Sequence, residues 1–298
     1  MLGALRNAIP RGNGASRNFG FWIAWKESDD EEIVIALDDD CRLYHWDFAT
    51  KAEEALSTRP RKSARGSGRH FNVLDCYDEV QPHLYPRGFP YSARVTYDPW
   101  AIGPEESANV VFNLGLWCGV FDINGIDKLH GPRYTYEQAY LKESSLLVPS
   151  GAYISACSMN MHFRRELIPA MYQMLMPVKV MPHWTVDRYG DIWGGFVMKM
   201  LVDRAGDRVA IGEPMIEHVK EGDFTRNIRQ EHIAHLINDE FIGYIDSARE
   251  QIEVTDYLSM MEQLHEHLLK GYQCASSLMA RFLDAQLPAL RSWIAALK

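Results

Sequence analysis

Three consecutive carboxylates, Asp38-Asp39-Asp40, follow directly on the apolar run Ile33-Val34-Ile35-Ala36-Leu37. Adjacent carboxylates repel one another unless a cation neutralises them, and hard divalent cations take oxygen ligands. The run reads as a strand buried on both faces, as in a parallel sheet covered by helices. Ligands of such sheets collect at the carboxyl ends of the strands, where these aspartates sit. Two readings follow: a divalent metal holding a diphosphate in the D-x-D manner, or a solvated acidic turn. Of the eleven histidines, His218 stands out because Glu217-His218-Val219-Lys220 follows a short strand at 209–212 and could return to the same metal or diphosphate. Asp187 and Asp191 open a helix that runs to about Ala205, where the helix dipole favours a carboxylate whether or not it does chemistry. The loop Tyr85-Pro86-Arg87-Gly88-Phe89-Pro90-Tyr91-Ser92-Ala93-Arg94 can present two guanidinium groups to phosphate or carboxylate. His265 and His267, two residues apart, cannot share a helix face, which argues against a metal role.

The elements that must position these groups are an α/β set. Residues 10–14 carry a turn signal. Ser16 caps a helix from about Arg17 to Lys26, and the strand at 33–37 then completes the second half of a βαβ unit. No strand is predicted before residue 15, so the first βαβ portion, whose strand end would hold a base, is expected to be missing. Phe71–Leu74 and Val110–Trp117 read as strands, the second one buried. Residues 122–145 read as a polar excursion, and Leu167–Met176 has helical spacing. From about Gln230 the chain is helical. Ile252, Leu258, Met261, Leu264 and Leu268 form one apolar stripe, and a last helix covers about Ala275–Leu297 with a bend near Pro288. The expected organisation is a sheet domain over 1–245 and a helical extension over 246–298.

With 298 residues there is ample chain for a sizeable core. The net charge of −9 argues against a surface given over wholly to nucleic acid. A local basic segment nevertheless stands out, Arg59-Pro60-Arg61-Lys62-Ser63-Ala64-Arg65-Gly66-Ser67-Gly68-Arg69. It reads as a flexible surface loop, either simply solvated or a patch for an anionic polymer. Five scattered cysteines without a C-x-x-C pair suit buried free thiols in a reducing compartment, and cytoplasmic is the expected location. No stretch is apolar enough to span a membrane.

The order D-D-D, R-G-F-P-Y-S-x-R, N-L-G-L-W, M-N-M-x-F-x-R-E-L-I-P-A-M-Y, R-Y-G-D-I-W-G-G resembles the reversibly glycosylated polypeptides, the UDP-arabinopyranose mutase family, over roughly residues 10–245. The resemblance implies a Rossmann-like nucleotide-sugar transferase fold of GT-A type, with a mostly parallel sheet, shortened at the N-terminus and followed by C-terminal helices. It implies that Asp38, Asp39 and Asp40 bind Mn²⁺ or Mg²⁺, with His218 and Lys220 suited to metal and phosphate. It implies that Arg94 is the arginine that becomes glycosylated, with Arg87 beside it. Asp191 and Trp193 fall in the family's D-D-x-W-A-G segment, whose first acid is replaced here by Gly190. Arg17 and Asn18 sit where related transferases approach the nucleotide.

The resemblance carries three functional readings. In the first, UDP-arabinopyranose and UDP-arabinofuranose interconvert, Asp191 acts as base or as stabiliser of the oxocarbenium-like centre, and Arg94 accepts the sugar. A guanidinium stays protonated and is a poor nucleophile, so Arg94 clamping the diphosphate is the competing role. In the second, the sugar passes to a separate acceptor, and Arg59, Arg61, Lys62, Arg65 and Arg69 would suit an anionic polymer such as modified phage-type DNA. In the third, the chain is a non-catalytic subunit. The C-terminal helices are expected to pack either across the sheet domain or at the subunit interface of an oligomer.

Overall fold

The computed structural model of the chain describes residues 5, 8, 9, 12, 14–81, 83–220 and 222–298; the turn signal at 10–14 lies partly outside them. The chain forms two compact units. A helical unit comprises Met1–Asp30, Arg165–Ala205 and Arg229–Lys298, and a sheet unit comprises Glu31–Arg164 and Gly206–Ile228. The boundary expected near residue 245 falls within one long helix, Phe224–Arg249. The packing divides the chain differently because residues 1–30 and 165–205 join the C-terminal helices.

In the sheet unit, eight strands frame the acidic triplet and its neighbours: β1 (Ile33–Leu37), β2 (Cys41–Leu43), β3 (Pro60–Arg65), β4 (Ala101–Ser107), β5 (Val110–Val120), β6 (Ser145–Leu147), β7 (Asn160–Arg164) and β8 (Arg208–His218). They join one sheet in the order β1-β7-β5-β8-β6-β3-β4, with β2 on β8. The long central pair β5–β8 is parallel, as is β3–β6. The ladders β1–β7, β7–β5, β8–β6, β3–β4 and β8–β2 are antiparallel. The α/β class and the C-terminal helices are thus as expected, with a sheet of mixed direction. Every residue of β5 is buried, which is what its unbroken Val-Val-Phe-Asn-Leu-Gly-Leu-Trp run requires.

Two expectations need correction. β1 is not a doubly covered parallel strand: it lies at the end of the sheet order, pairs antiparallel with β7, and has a half-buried profile. The basic segment is not a flexible loop over most of its length, because residues 60–65 form β3. Arg61 is 3% exposed. Its Nη1 donates to Ser57 O (2.8 Å), its Nη2 to Glu54 O (2.9 Å) and Ala55 O (3.0 Å), and its Nε to Ser145 Oγ (3.0 Å). It therefore caps the C-terminal end of helix Phe48–Leu56, taking the Ala55 carbonyl and sharing that of Glu54 with the Ser57 amide and hydroxyl. Burial pulls its guanidinium down to about 10, still cationic at neutral pH. Lys62 is paired with Glu143 at 2.7 Å. A polyanion surface built on Arg61 and Lys62 loses both charges to internal partners.

The helical unit holds helices Arg17–Glu27, Gly190–Ala205, Tyr257–Gly271 and Ser277–Leu297, together with most of Phe224–Arg249. The indoles of Trp22 and Trp25 donate to Ala296 O and Leu297 O (3.2 and 2.9 Å), tying the first helix to the end of the last. Where helical spacing at 167–176 predicts an α-helix, the chain makes a 3₁₀ segment, Arg165–Ala170. Pro169 inside it has no N–H to continue an α-helical ladder. Pro288 does sit within Ser277–Leu297. Of the five cysteines, Cys76, Cys118 and Cys157 are buried free thiols, Cys41 is half-buried and Cys274 exposed. Among the described residues no helix is long and apolar enough to cross a membrane.

One buried group gives the sheet unit a pH dependence. His162 on β7 is fully buried, its Nδ1 3.0 Å from Asn113 Nδ2 and its ring against Phe48. Burial holds its pKa down at about 4, from an ordinary 6.5. The folded state therefore keeps His162 neutral while the unfolded chain takes up a proton below about 6.5. The stability this group contributes is present above that pH and is lost as pH falls toward 4. Two to three pKa units correspond to about 3 kcal/mol. Urea unfolding from pH 7 to pH 4.5 should show this loss in the wild type, and His162→Gln should flatten that part of the slope.

Candidate metal and diphosphate site

The acidic triplet is held by backbone bonds at the end of β1. Asp38 N donates to Met159 O (3.2 Å), and Cys41 N donates to Asp38 O (3.4 Å), closing a tight turn over the three aspartates. The chain then enters β2, where Cys41 lies opposite His218 of β8. Val219 N donates to Asp40 O at 3.1 Å, which carries the strand pairing one residue further. Asp38 and Asp40 are half-buried and Asp39 is exposed, so the D-x-D alternation survives as a difference in environment.

Two strand ends thereby bring Asp40, His218 and Lys220 together. His218 Nε2 lies 3.8 Å from Asp40 Oδ2, and Lys220 Nζ is also 3.8 Å from that oxygen. His218 Nδ1 is 2.6 Å from Val120 O. A carbonyl only accepts, so Nδ1 carries the hydrogen, and in the neutral ring Nε2 presents its lone pair on the side of Asp40. A metal-binding histidine has this arrangement, its second nitrogen oriented by a backbone carbonyl. Lys220, with 68% of its side chain exposed, brings a mobile ammonium to the same place.

The residues fit a hard divalent ion of modest protein coordination. Two donors of one ion lie about 3–4 Å apart when each bond is about 2.1 Å, a range that includes the Asp40–His218 separation. Among the described residues no three His, Cys, Asp or Glu side chains gather into a metal-binding group. Mg²⁺-type sites commonly use one or two protein ligands and take the rest from substrate phosphates and water, and this pair suits that pattern.

The two arginines of the 85–94 loop belong to the same unit and are both held by acids. Arg87 is 7% exposed, with Nε 3.0 Å from both oxygens of Asp122 and Nη2 2.9 Å from one of them. Arg94 grips Asp127 end-on, Nη1 to Oδ1 and Nη2 to Oδ2, both 2.8 Å. Its guanidinium also lies over Tyr91 (4.1 Å) and Tyr85 (4.5 Å). Asp127 accepts further bonds from Tyr91 Oη and Asn124 Nδ2, both 3.2 Å. Reading along the chain finds the arginines and misses Asp122 and Asp127, because nothing local links residues more than thirty positions apart.

The remaining expected residues lie in the helical unit. Asp191 stands in the first turn of helix Gly190–Ala205, half-buried, with Oδ1 3.0 Å from Ile192 N. The preceding segment is fastened by Gln230 Nε2 to Asp187 Oδ2 (2.9 Å) and by Arg188 Nε to the buried Glu231 (2.9 Å). Arg17 is half-buried on the first helix. Asn18 and Trp193 are not placed to meet a substrate. Asn18 is fully buried, donates to Ala8 O (3.2 Å) and Gln173 O (2.9 Å), and accepts from Gln173 N (2.8 Å). Trp193 is equally buried, its Nε1 donating to Asn238 Oδ1 (2.8 Å) and its ring packed on Phe241 and Phe282. Saturated polar groups and full burial make both of them core residues.

The profile described as "Reversibly glycosylated polypeptide" matches residues 1–297. The chain belongs to the reversibly glycosylated polypeptide family. Among its curated relatives, the protein named probable UDP-arabinopyranose mutase 2 from Solanum tuberosum is 27% identical over 98% of this chain and 74% of its own length. UDP-arabinopyranose mutase 1 from Arabidopsis thaliana is 26% identical over 99% of this chain and 76% of its own. UDP-arabinopyranose mutase 3 from the same plant is 28% identical over 91% and 70%. In this member of the reversibly glycosylated polypeptide family, the acidic triplet, the two loop arginines and the His218–Lys220 segment all lie in the sheet unit, whereas the R-Y-G-D-I-W segment lies in the helical unit.

Proposed function

We propose that the chain is a nucleotide-sugar mutase that binds a UDP-pentose at the end of β1 and interconverts its pyranose and furanose forms. The family membership and the names of the curated relatives support the reaction class. The single structural observation behind the site is that Asp40, His218 and Lys220 converge where β1 and β8 end. Diphosphate recognition needs positive charge at an oxygen-lined place, and these residues offer an ammonium and a carboxylate–imidazole pair for a cation.

Asp40 and His218, with Asp38 in the same turn, would hold Mn²⁺ or Mg²⁺. Such an ion, when bound, supplies charge to a diphosphate as the anomeric C–O bond breaks. Lys220 contributes a second cation whose exposed stem can follow the phosphates as they depart and return. Val120 O keeps the His218 hydrogen on Nδ1, so the ring faces the site as an acceptor. Asp127 takes both terminal nitrogens of Arg94 and matches its positive charge, which leaves this guanidinium poorly suited to clamping an anion as well as to nucleophilic attack.

Incubation of the protein with UDP-arabinopyranose and Mn²⁺, followed by chromatographic separation of the nucleotide sugars, should yield UDP-arabinofuranose without any added acceptor. Recovery of unchanged pyranose alone, with UDP and Mn²⁺ still bound, would remove the mutase reading while leaving the site.

A further inference from the structure

The candidate site depends on which residue of β8 stands at the end of the strand, and that is decided by a bulge. In the first half of the parallel pair Gly212 lies opposite Gly115; further on Ile216 lies opposite Trp117 and His218 opposite Gly119. Three residues of β8, 213 to 215, therefore oppose the single residue Leu116 of β5. In the register set by Gly212 and Gly115, Gly119 would face Ile216. The two extra residues bring His218 there instead. A bulge re-aims the side chains that follow it, and here the re-aimed side chain is the imidazole beside Asp40.

The bulge is fastened from β7. Asn160 is fully buried, and its Nδ2 donates to Pro214 O at 2.8 Å and to Leu116 O at 3.3 Å. One amide thus joins the looped-out strand to the residue it loops past. Gly115 makes the room: a Cβ there would lie 2.1 Å from Asn160 Nδ2 and 2.6 Å from Pro214 O. Asn113 Nδ2 donates to Glu213 O (3.0 Å), and Lys51 pairs with the Glu213 carboxylate at 3.0 Å. Beyond the bulge Gly119 has φ +82°, and a Cβ on it would strike His218 O at 2.2 Å, so the delivered residue is met by a backbone that accommodates it closely.

We infer that Asn160 is a positioning residue for the candidate site, setting the register of β8 so that His218 and not Ile216 reaches Asp40. The inference rests on the proposed role of Asp40 and His218. With the Asn160 amide removed, Pro214 O and Leu116 O lose the donor they share, and the strand can shorten the bulge and slide Ile216 toward the site. An aspartate of the same shape has no N–H to offer either carbonyl and turns a donor into an acceptor. Asn160 touches no substrate on this account; its effect travels through the backbone of β8 to a single side chain.

The test is a double-mutant cycle in the full chain, with UDP titrated calorimetrically in the presence and absence of Mn²⁺. Asn160→Asp is expected to lower the Mn²⁺-dependent gain in UDP affinity about tenfold or more, within the range of outer-shell changes, while metal-free UDP affinity stays as in the wild type. Placed in a His218→Ala background, the same change should alter the gain less than about twofold, because coupled residues are not additive. A folded Asn160→Asp with wild-type metal dependence, or with the same loss in both backgrounds, would overturn the inference. If Asn160→Asp does not fold, Asn160→Ser is read in the same cycle against the same outcomes. Should His218→Ala itself keep the full metal-dependent gain, the site assignment fails first, and the result is distinguishable from failure of the positioning role.

Discussion

Replacing Asp40 by alanine is expected to weaken Mn²⁺-dependent binding of UDP by more than the roughly 10–100-fold that outer-shell changes cost. Asp40 Oδ2 is the atom that both His218 Nε2 and Lys220 Nζ approach at 3.8 Å, so its removal takes away the common point of the site. Asp38→Ala together with Asp40→Ala should abolish the metal dependence altogether. Asp39→Ala, at the exposed middle of the turn, should change affinity by no more than about twofold, as surface positions away from a site usually do. The three variants are measured by UDP titration with and without Mn²⁺. Equal effects in Asp39→Ala and Asp40→Ala would show general loss of negative charge and contradict a site built on particular oxygens.

Trp193→Ala should destabilise the protein by about 3–5 kcal/mol, the usual cost of emptying a buried aromatic position. The ring is fully buried, its centroid 4.6 Å from that of Phe241 and 4.9 Å from that of Phe282. Trp193→Phe keeps most of that packing and removes the indole N–H, leaving Asn238 Oδ1 without its 2.8 Å donor; about 1–3 kcal/mol is expected. Urea unfolding measures both. The same Trp193→Phe protein should bind UDP and a UDP-pentose as the wild type does. A selective loss of UDP-pentose affinity with stability unchanged would restore the substrate-binding role expected of Trp193 from its family segment.

The sequence shows some of these elements and hides others for physical reasons. β5 is readable because a strand buried at every residue is nearly continuous in apolar residues, with Asn113 as the polar exception whose amide is hydrogen-bonded. β1 has nearly the same composition, yet it is an edge strand; a run of five cannot report whether one neighbour or two pair with it. The segment 59–69 looks like a loop because its charges are counted before its partners are known. Arg61 is buried only because the carbonyls of helix Phe48–Leu56 and Ser145 receive its guanidinium. Asp40 and His218 could be put in one hypothesis from chemistry alone, but the two-residue bulge that makes them neighbours leaves no local signal beyond Gly212 and Pro214. Trp193 and Asn18 show the opposite limit, since a motif position marks a residue without saying whether its side chain faces substrate or core.

The most direct measurement is electron spin echo envelope modulation of Mn²⁺ bound to the protein with UDP. If the end of β1 is the metal–diphosphate site, a directly coordinated nitrogen should appear in the wild type and vanish in His218→Ala. Phosphorus coupling from the UDP should be present in the wild type. A Mn²⁺–UDP complex bound without any nitrogen coupling, or with a coupling that persists in His218→Ala, would contradict the assignment.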